Sequence, residues 1–375
     1  MNKRDVKTNL LDHSQAKVRL LGEYVKRYLN IISNDGFTDA IHMYDLFCGQ
    51  GIYENDGHGS PLVILEHVKE THYSLIDKKP RKLPKINCYL NDIEKSKTDI
   101  LNQYITDNSL HYSVIGNLQI SNADYKQAVV ALKACFEKFK NEKAFVFIDP
   151  YGYKELVAGD IQGLLGKHKK SEVLLWLPIQ FMYRFADEGT PAILKNFMSD
   201  LEIVEEAKKA KNVWEFISVL NKGFQHFLGN SFFVDHFSLQ KEENTVFCLF
   251  FFTPHIKGFE KMLESKWEID TQEGRGWRYC GNVPNLFSQQ FTDELEEGLK
   301  SFFKSGRKYN SDVFEFVLRQ GYLPKHATEV LTNLQKTGQL KVLLADGTTA
   351  RKKSFYIKYC KPTDVEHKKV YFVLN

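Results

Sequence analysis

No run in this 375-residue sequence stays apolar over membrane-spanning length, and its opening residues, MNKRDVKTNLLDHSQAK, hold no apolar signal region. A membrane partner is thereby set aside, and the cytoplasm is the expected location. Cysteine is sparse and scattered: Cys48, Cys88, Cys135, Cys248, Cys280 and Cys360 form no C-x-x-C pair. That distribution fits neither a disulfide frame nor a zinc site; it reads as reduced core thiols, and no metal is expected. None of the ten prolines precedes a cysteine, so a Pro-Cys nucleophile is missing too. Charge of one sign is also not in excess. A net charge of +4 does not imply a nucleic-acid ligand, so any basic surface must be local.

What is present centres on Ile41 to Pro61, IHMYDLFCGQGIYENDGHGSP. Ile41, Met43, Tyr44, Leu46 and Phe47 form an apolar run of strand length with Asp45 as its lone charge. A carboxylate inside a buried strand needs a reason. Gly49 and Gly51 follow at once, so the chain turns sharply and its backbone stays open to a ligand. Ser60-Pro61 supplies a helix N-cap and a first-turn proline. Strand, glycine turn and helix N-terminus make the first unit of a nucleotide-type site. The spacing is D-x-F-x-G-x-G, not the G-x-G-x-x-G of dinucleotide folds, which argues against an oxidoreductase.

In chain order, Ala16 to Ile32 predicts an amphipathic helix stopped at Gly36, with Lys17 and Arg19 on a solvated face. A second strand, Ile86 to Asn91, ends at Asp92. A carboxylate there sits where a ribose presents two hydroxyls, and it is equally a helix N-cap; Glu94 is the fallback ligand. A third strand is expected within Tyr112 to Ile120, with Asp124 before the helix Tyr125 to Lys140. The fourth is Ala144 to Ile148, ending at the rigid corner Asp149-Pro150-Tyr151-Gly152. A fifth, Glu172 to Leu177, is followed by helical material and then two strands, Phe232 to Gln240 and Thr245 to Thr253. The stretch 267–285 reads as a boundary. Alternating strands and helices closed by a hairpin predict one doubly wound sheet over residues 1–285. Residues 286–375 read as a small α+β domain. It has three helices and then a hairpin of KVLLAD and KKSFYIKY, a winged-helix pattern. Lys325, His326 and Thr328 fall on the helix that would enter a groove, and Arg351, Lys352, Lys353 and Lys358 on or near the wing. The alternative is a protein-interaction domain with a solvated basic edge.

The D-x-F-x-G-x-G turn resembles motif I of class I S-adenosylmethionine-dependent methyltransferases. The Asp-Pro corner resembles motif IV of the amino-group methyltransferases, with Tyr151 where a second proline usually stands and Gly152 where the aromatic does. DHSQAKVRLLGEYVKRYL, DLFCGQGIYENDGHGSP, NDIEKS and FIDPYG together resemble the bacterial three-Cys-motif partner family (TcmP), over nearly the full length. The resemblance implies a Rossmann-like methyltransferase sheet with a C-terminal winged helix, S-adenosylmethionine as cofactor, and a neighbouring protein carrying the three-cysteine motif as partner. It places Asp45, Phe47, Gly49, Gly51, Asp92 and Asp124 around the cofactor: Asp45 on the turn or the methionine amino group, Asp92 on the ribose. Asp124 falls where an acidic group meets adenine, or is a cap only. Asp149 and the Pro150 carbonyl would orient an attacking nitrogen, while Tyr151, or Tyr153, stacks on the base. The expected activity is methyl transfer to DNA or RNA, on a base amino group. The lack of a Pro-Cys pair excludes cytosine-C5 chemistry. The competing expectation is a catalytically silent nucleic-acid-binding protein that works with its partner in bacterial defence or repair.

Overall fold

The computed structural model describes residues 12–76, 83–152, 157–186, 190–242, 245–271, 274–278 and 290–375. The chain divides into two compact units, Met1–Lys261 with Gly276–Gly281, and Met262–Arg275 with Asn282–Asn375. No helix among the described residues is long and apolar enough to cross a membrane.

The first unit opens with α1 (Asp12–Ile32), then alternates β1 (Ala40–Asp45), α2 (Ser60–Ile76), β2 (Lys85–Asn91), α3 (Lys95–Asp107), β3 (Leu118–Ser121), α4 (Tyr125–Phe136), β4 (Glu142–Ile148), α5 (Ala158–Leu165) and β5 (Ser171–Leu177). Four helices follow, α6 (Ile179–Arg184), α7 (Ala192–Asp200), α8 (Val204–Lys209) and α9 (Val213–Leu228), then β6 (Phe233–Glu242), β7 (Thr245–Thr253), α10 (Ile256–Ile269), which from Met262 on belongs to the second unit, and β8 (Gly276–Arg278). The sheet order is β3-β2-β1-β4-β5-β7-β6-β8, and the first five strands are parallel. β7 runs antiparallel to both β5 and β6. This is the Rossmann-like, doubly wound sheet closed by an antiparallel hairpin. Strands buried on both faces carry unbroken apolar runs, as in Ala144 to Ile148, where no residue is exposed.

Two details depart from the pattern-based reading. The third strand is confined to Leu118–Ser121, because Tyr112 to Ile115 closes a turn and Gly116 passes hard against β2. A Cβ on Gly116 would lie 2.2 Å from the Ile86 carbonyl oxygen, so only glycine lets the chain pass there ahead of the strand at Leu118. The polar stretch after residue 267 is not merely a boundary: Gly276–Arg278 adds β8 beside β6. Glycine permits the approach, since a Cβ at Gly276 would meet Ser238 Oγ at 2.3 Å. The unit division accordingly runs at 261, with 276–281 assigned to the first unit, where the sequence pattern predicts a single cut after 285.

In the second unit, α11 (Gln290–Lys304), β9 (Lys308–Tyr309), α12 (Asn310–Arg319) and α13 (Pro324–Lys336) precede β10 (Leu340–Leu344) and β11 (Val370–Leu374). The strands order as β10-β11-β9, all antiparallel. Leu299, Val313, Val317, Leu318 and Leu331 are fully buried between helices and sheet. The helix trio and wing are present, but the strand pairing β10 is VYFVL, not KKSFYIKY. Phe355 and Ile357 do turn inward. The KKSFYIKY run is broken by left-handed backbone at Lys353 (φ 64°) and Tyr356 (φ 52°), which a continuous extended strand does not adopt.

Candidate active site

The carboxyl ends of β1 through β5 all open onto one cavity of about 450 Å³. Leu46 and Phe47 follow β1, Asp92 follows β2, Asp124 and Tyr125 follow β3, Pro150 and Tyr151 follow β4, and Pro178 and Phe181 follow β5. Strand order reverses between β1 and β4, the switch point where open α/β sheets take their ligands. Asn91 knits the edge together. Its amide donates to the Ala123 carbonyl at 3.0 Å, and its oxygen accepts from Ala123 N–H at 2.9 Å and Ser121 Oγ at 2.8 Å.

Both glycines of the turn have left-handed backbone, Gly49 at φ 61° and Gly51 at φ 75°, but for different reasons. A Cβ on Gly51 would strike Leu101 Cδ1 at 2.5 Å, so that glycine serves packing. A Cβ on Gly49 would meet nothing within 4 Å, so its bare backbone faces open space. Asp92, 1% exposed, ties the turn down. Its Oδ2 accepts from Gly49 N–H at 3.0 Å and its Oδ1 from Glu94 N–H at 2.9 Å. Each oxygen keeps one acceptor site beyond these bonds. Glu94, the fallback, is exposed and ion-paired to Lys97 at 2.6 Å. Asp124 caps α4, its Oδ1 accepting from Lys126 N–H at 2.9 Å, and also lines the cavity. Phe47 stacks on Tyr125 with centroids 5.3 Å apart.

Asp45 is fully buried, and burial, with Asp149 adding, pushes its carboxyl up to about 7. The Ser60 hydroxyl, the Phe47 amide and Lys17 oppose that rise. Neither Asp45 nor Asp149 is among the cavity-lining residues; both belong to a polar cluster with Lys17. Lys17 Nζ reaches Asp149 Oδ2 at 2.5 Å and lies 4.8 Å over the Trp176 ring. Burial pulls the Lys17 pKa down, but Asp149, Tyr53 and Asp45 outweigh it and hold it above the usual lysine value. The solvated-face reading therefore fails for Lys17, whose side chain is only 11% exposed, while Arg19 is exposed. Sequence carried the signal: Lys17 stands three, four and seven residues before Leu20, Leu21 and Tyr24, on the apolar stripe.

Tyr151 is 79% exposed, yet its hydroxyl accepts from Lys97 Nζ at 2.7 Å and its ring lies 4.6 Å from that ammonium. Phe181, unmarked by any motif, lines the same cavity and packs 4.7 Å from Phe185. Tyr153 lies outside the described residues. Cys48, Cys88 and Cys248 are buried thiols as expected, but Cys135 is exposed and Cys360 half-buried; Cys280 lies outside the described residues.

In the second unit, Lys325 and Thr328 are exposed on α13, and Thr328 Oγ1 donates back to the Pro324 carbonyl at 2.9 Å. His326 points the other way. Its Nδ1 accepts from Leu323 N–H at 3.1 Å and its ring packs 4.2 Å from Trp267. Burial, with Lys325 adding, lowers its pKa to about 4, so it offers a phosphate no charge at neutral pH. Arg351, Lys352 and Lys353 are exposed, with no ion pair among the described residues, and Lys353 N–H donates to Gln335 on α13 at 2.9 Å. Lys358 is instead paired with Glu366 at 2.5 Å.

Fold and site together define a Rossmann-like, doubly wound sheet followed by a winged helix-turn-helix unit. A family model described as "GMT-like wHTH domain" matches residues 270–347. Against curated proteins the sequence has no match. Among solved structures, the chain resembles a Legionella pneumophila protein of family DUF519, with 13% identity, TM-score 0.39, and 68% of this chain and 90% of that one covered. It also resembles an O-methyltransferase from Bacillus cereus solved with SAH (11% identity, TM-score 0.33, 62% and 80% covered). A third is the Streptomyces achromogenes O-methyltransferase TomG with SAM (9% identity, TM-score 0.33, 66% and 93% covered). These likenesses are of fold alone.

Proposed function

We propose that the first unit is an S-adenosylmethionine-dependent methyltransferase acting on a base amino group of nucleic acid, and that the winged-helix unit holds that nucleic acid. The observation that carries the reading is the single cavity shared by the ends of β1 and β4. At about 450 Å³ it falls within the ~300–1,000 Å³ range of small-molecule sites. The residues fit the cofactor. Gly49 leaves bare backbone for its amino-acid end, the spare acceptor sites of Asp92 suit two ribose hydroxyls, and Asp124 and Phe47 with Tyr125 suit adenine. When bound, S-adenosylmethionine would supply an electrophilic methyl group; a neutral amine displacing it would break the methyl–sulfur bond, leave the neutral thioether and give up one proton to solvent. Asp149 accepts an N–H of that amine, the Pro150 carbonyl accepts the other, and the Lys97-anchored Tyr151 offers its exposed ring to the base. The resemblance to the three-Cys-motif partner family, with a partner protein in the bacterial cytoplasm, belongs to this same reading.

Calorimetry with S-adenosylmethionine on wild type and Gly49→Val tests the cofactor site: binding to wild type and none to the variant are expected. Asp149→Ala should abolish methyl transfer to nucleic acid while cofactor affinity stays within a few fold. Unchanged turnover in that variant removes the assigned role. Absence of binding in wild type replaces the enzyme with a silent nucleic-acid-binding protein.

A further inference from the structure

One charged group reaches the carboxyl edge of the sheet from an element outside every cofactor motif. Helix α1 is clamped by Leu20, Leu21 and Tyr24, all fully buried, and so delivers Lys17 to a set place between the ends of β4 and β5. Both members of the Lys17–Asp149 pair are largely withdrawn from water, with side chains 11% and 19% exposed. Stability alone does not account for such a pair. Desolvating two charges offsets most of their attraction, and apolar replacements of buried pairs are often neutral or better. What the pair does is fix a direction. A carboxylate at a strand end turns about its last torsion, which is broad and nearly two-fold. A charged donor on Oδ2 removes that freedom. Among the described residues nothing donates to Asp149 Oδ1.

We propose that Lys17 is a positioning residue for Asp149: it holds the carboxylate plane by Oδ2, so that Oδ1 alone receives the N–H of the target amine. The proposal rests on the methyl-transfer reading and makes the N-terminal helix part of the active site. Trp176 forms the floor beneath the ammonium, and Tyr53 of the glycine loop with Asp45 completes its surroundings.

The test measures transfer from tritiated S-adenosylmethionine to bacterial RNA and to genomic DNA. It uses wild type, Lys17→Met, Lys17→Gln, Lys17→Arg, Asp149→Asn and the Lys17→Met/Asp149→Asn pair, with cofactor affinity by calorimetry alongside. Lys17→Met should lower kcat about 10- to 100-fold with cofactor affinity within a few fold, as misdirection of a placed group does. Lys17→Arg, which also donates to Oδ2, should recover part of the loss, and Lys17→Gln, uncharged but still a donor, should fall between. The double variant should be no slower than Asp149→Asn alone, since the two residues act as one unit. A crystal structure of Lys17→Met without ligand should show Asp149 in more than one rotamer. Wild-type kcat in Lys17→Met, or a single Asp149 rotamer without Lys17, overturns the positioning role and leaves methyl transfer standing. A wild type that neither binds cofactor nor transfers methyl groups removes both.

Discussion

Glu172, second in β5, is 5% exposed at the end of the sheet opposite the cavity. Tyr24 OH donates to its Oε2, and Thr253 Oγ1 donates to its Oε1 at 2.7 Å. Burial wins over these bonds and raises the carboxyl to about 7. A folded-state pKa above the unfolded one means that the contribution to stability is complete below the unfolded value, near 4.5, and is lost as pH climbs through about 7. Asp45, also raised to about 7, acts in the same direction. Glu172→Gln removes the ionisation, so the melting temperature of the variant relative to wild type should rise between pH 5 and pH 8. The full swing is at most ~3 kcal/mol, at 1.36 kcal/mol per pKa unit. Scanning calorimetry at both pH values checks this, and a constant difference would show that Glu172 does not titrate in that window. Neither carboxylate's burial was equally visible in the sequence. Asp45 stands alone within an apolar run, whereas Glu172 lies at the start of the expected strand Glu172 to Leu177, a place where charge is ordinarily solvated.

At the scale of elements, whatever was periodic or punctuated could be read in advance. The α1 stripe, the apolar β4 run, the glycine turn and the Asp-Pro corner each have a local cause, and the structure places them as elements accordingly. What escaped depends on neighbours far along the chain. Gly116 must be bare because it passes the Ile86 carbonyl ahead of β3, and Gly276 because β8 lies against Ser238. The wing is the clearest case, since KKSFYIKY alternates as a strand should but is displaced from β10 by the more β-branched and aromatic VYFVL. That makes β11 the middle strand of its sheet. Phe372 at its centre is 2% exposed and stacks on Phe303 at 5.2 Å. Phe372→Ala should cost the second unit ~3–5 kcal/mol, the usual range for emptying an aromatic core position. Hydrogen exchange should quicken throughout α11, α12 and α13 and stay unchanged in β1 to β5. Uniform loss of protection in both units would mean that they unfold as one body.

For the whole molecule, the small excess of positive charge hides a strongly uneven distribution. Between β10 and β11 stand Arg351, Lys352, Lys353, Lys358, Lys361, Lys368 and Lys369 against Asp346, Asp364 and Glu366. Lys358 and Lys369 are engaged with Glu366, which leaves Arg351 to Lys353 as the uncompensated run. The bond from Lys353 N–H to Gln335 holds that run beside α13, whose exposed face carries Lys325 and Thr328. A phosphate backbone meeting this surface would release about 0.9 counterions per neutralised phosphate of B-DNA. Lys352→Glu with Lys353→Glu should therefore weaken duplex binding by the full-length chain and flatten the log–log salt slope by about two. His326→Ala should leave that slope untouched, because its ring faces Trp267 and carries no charge near neutral pH. The slopes are read from fluorescence anisotropy between 50 and 200 mM salt, a window in which about six to ten phosphate contacts change affinity by roughly 10³- to 10⁵-fold. If the doubly reversed protein binds duplex with an unaltered slope, phosphates do not meet this wing, and its basic run is the solvated edge of a protein-binding domain.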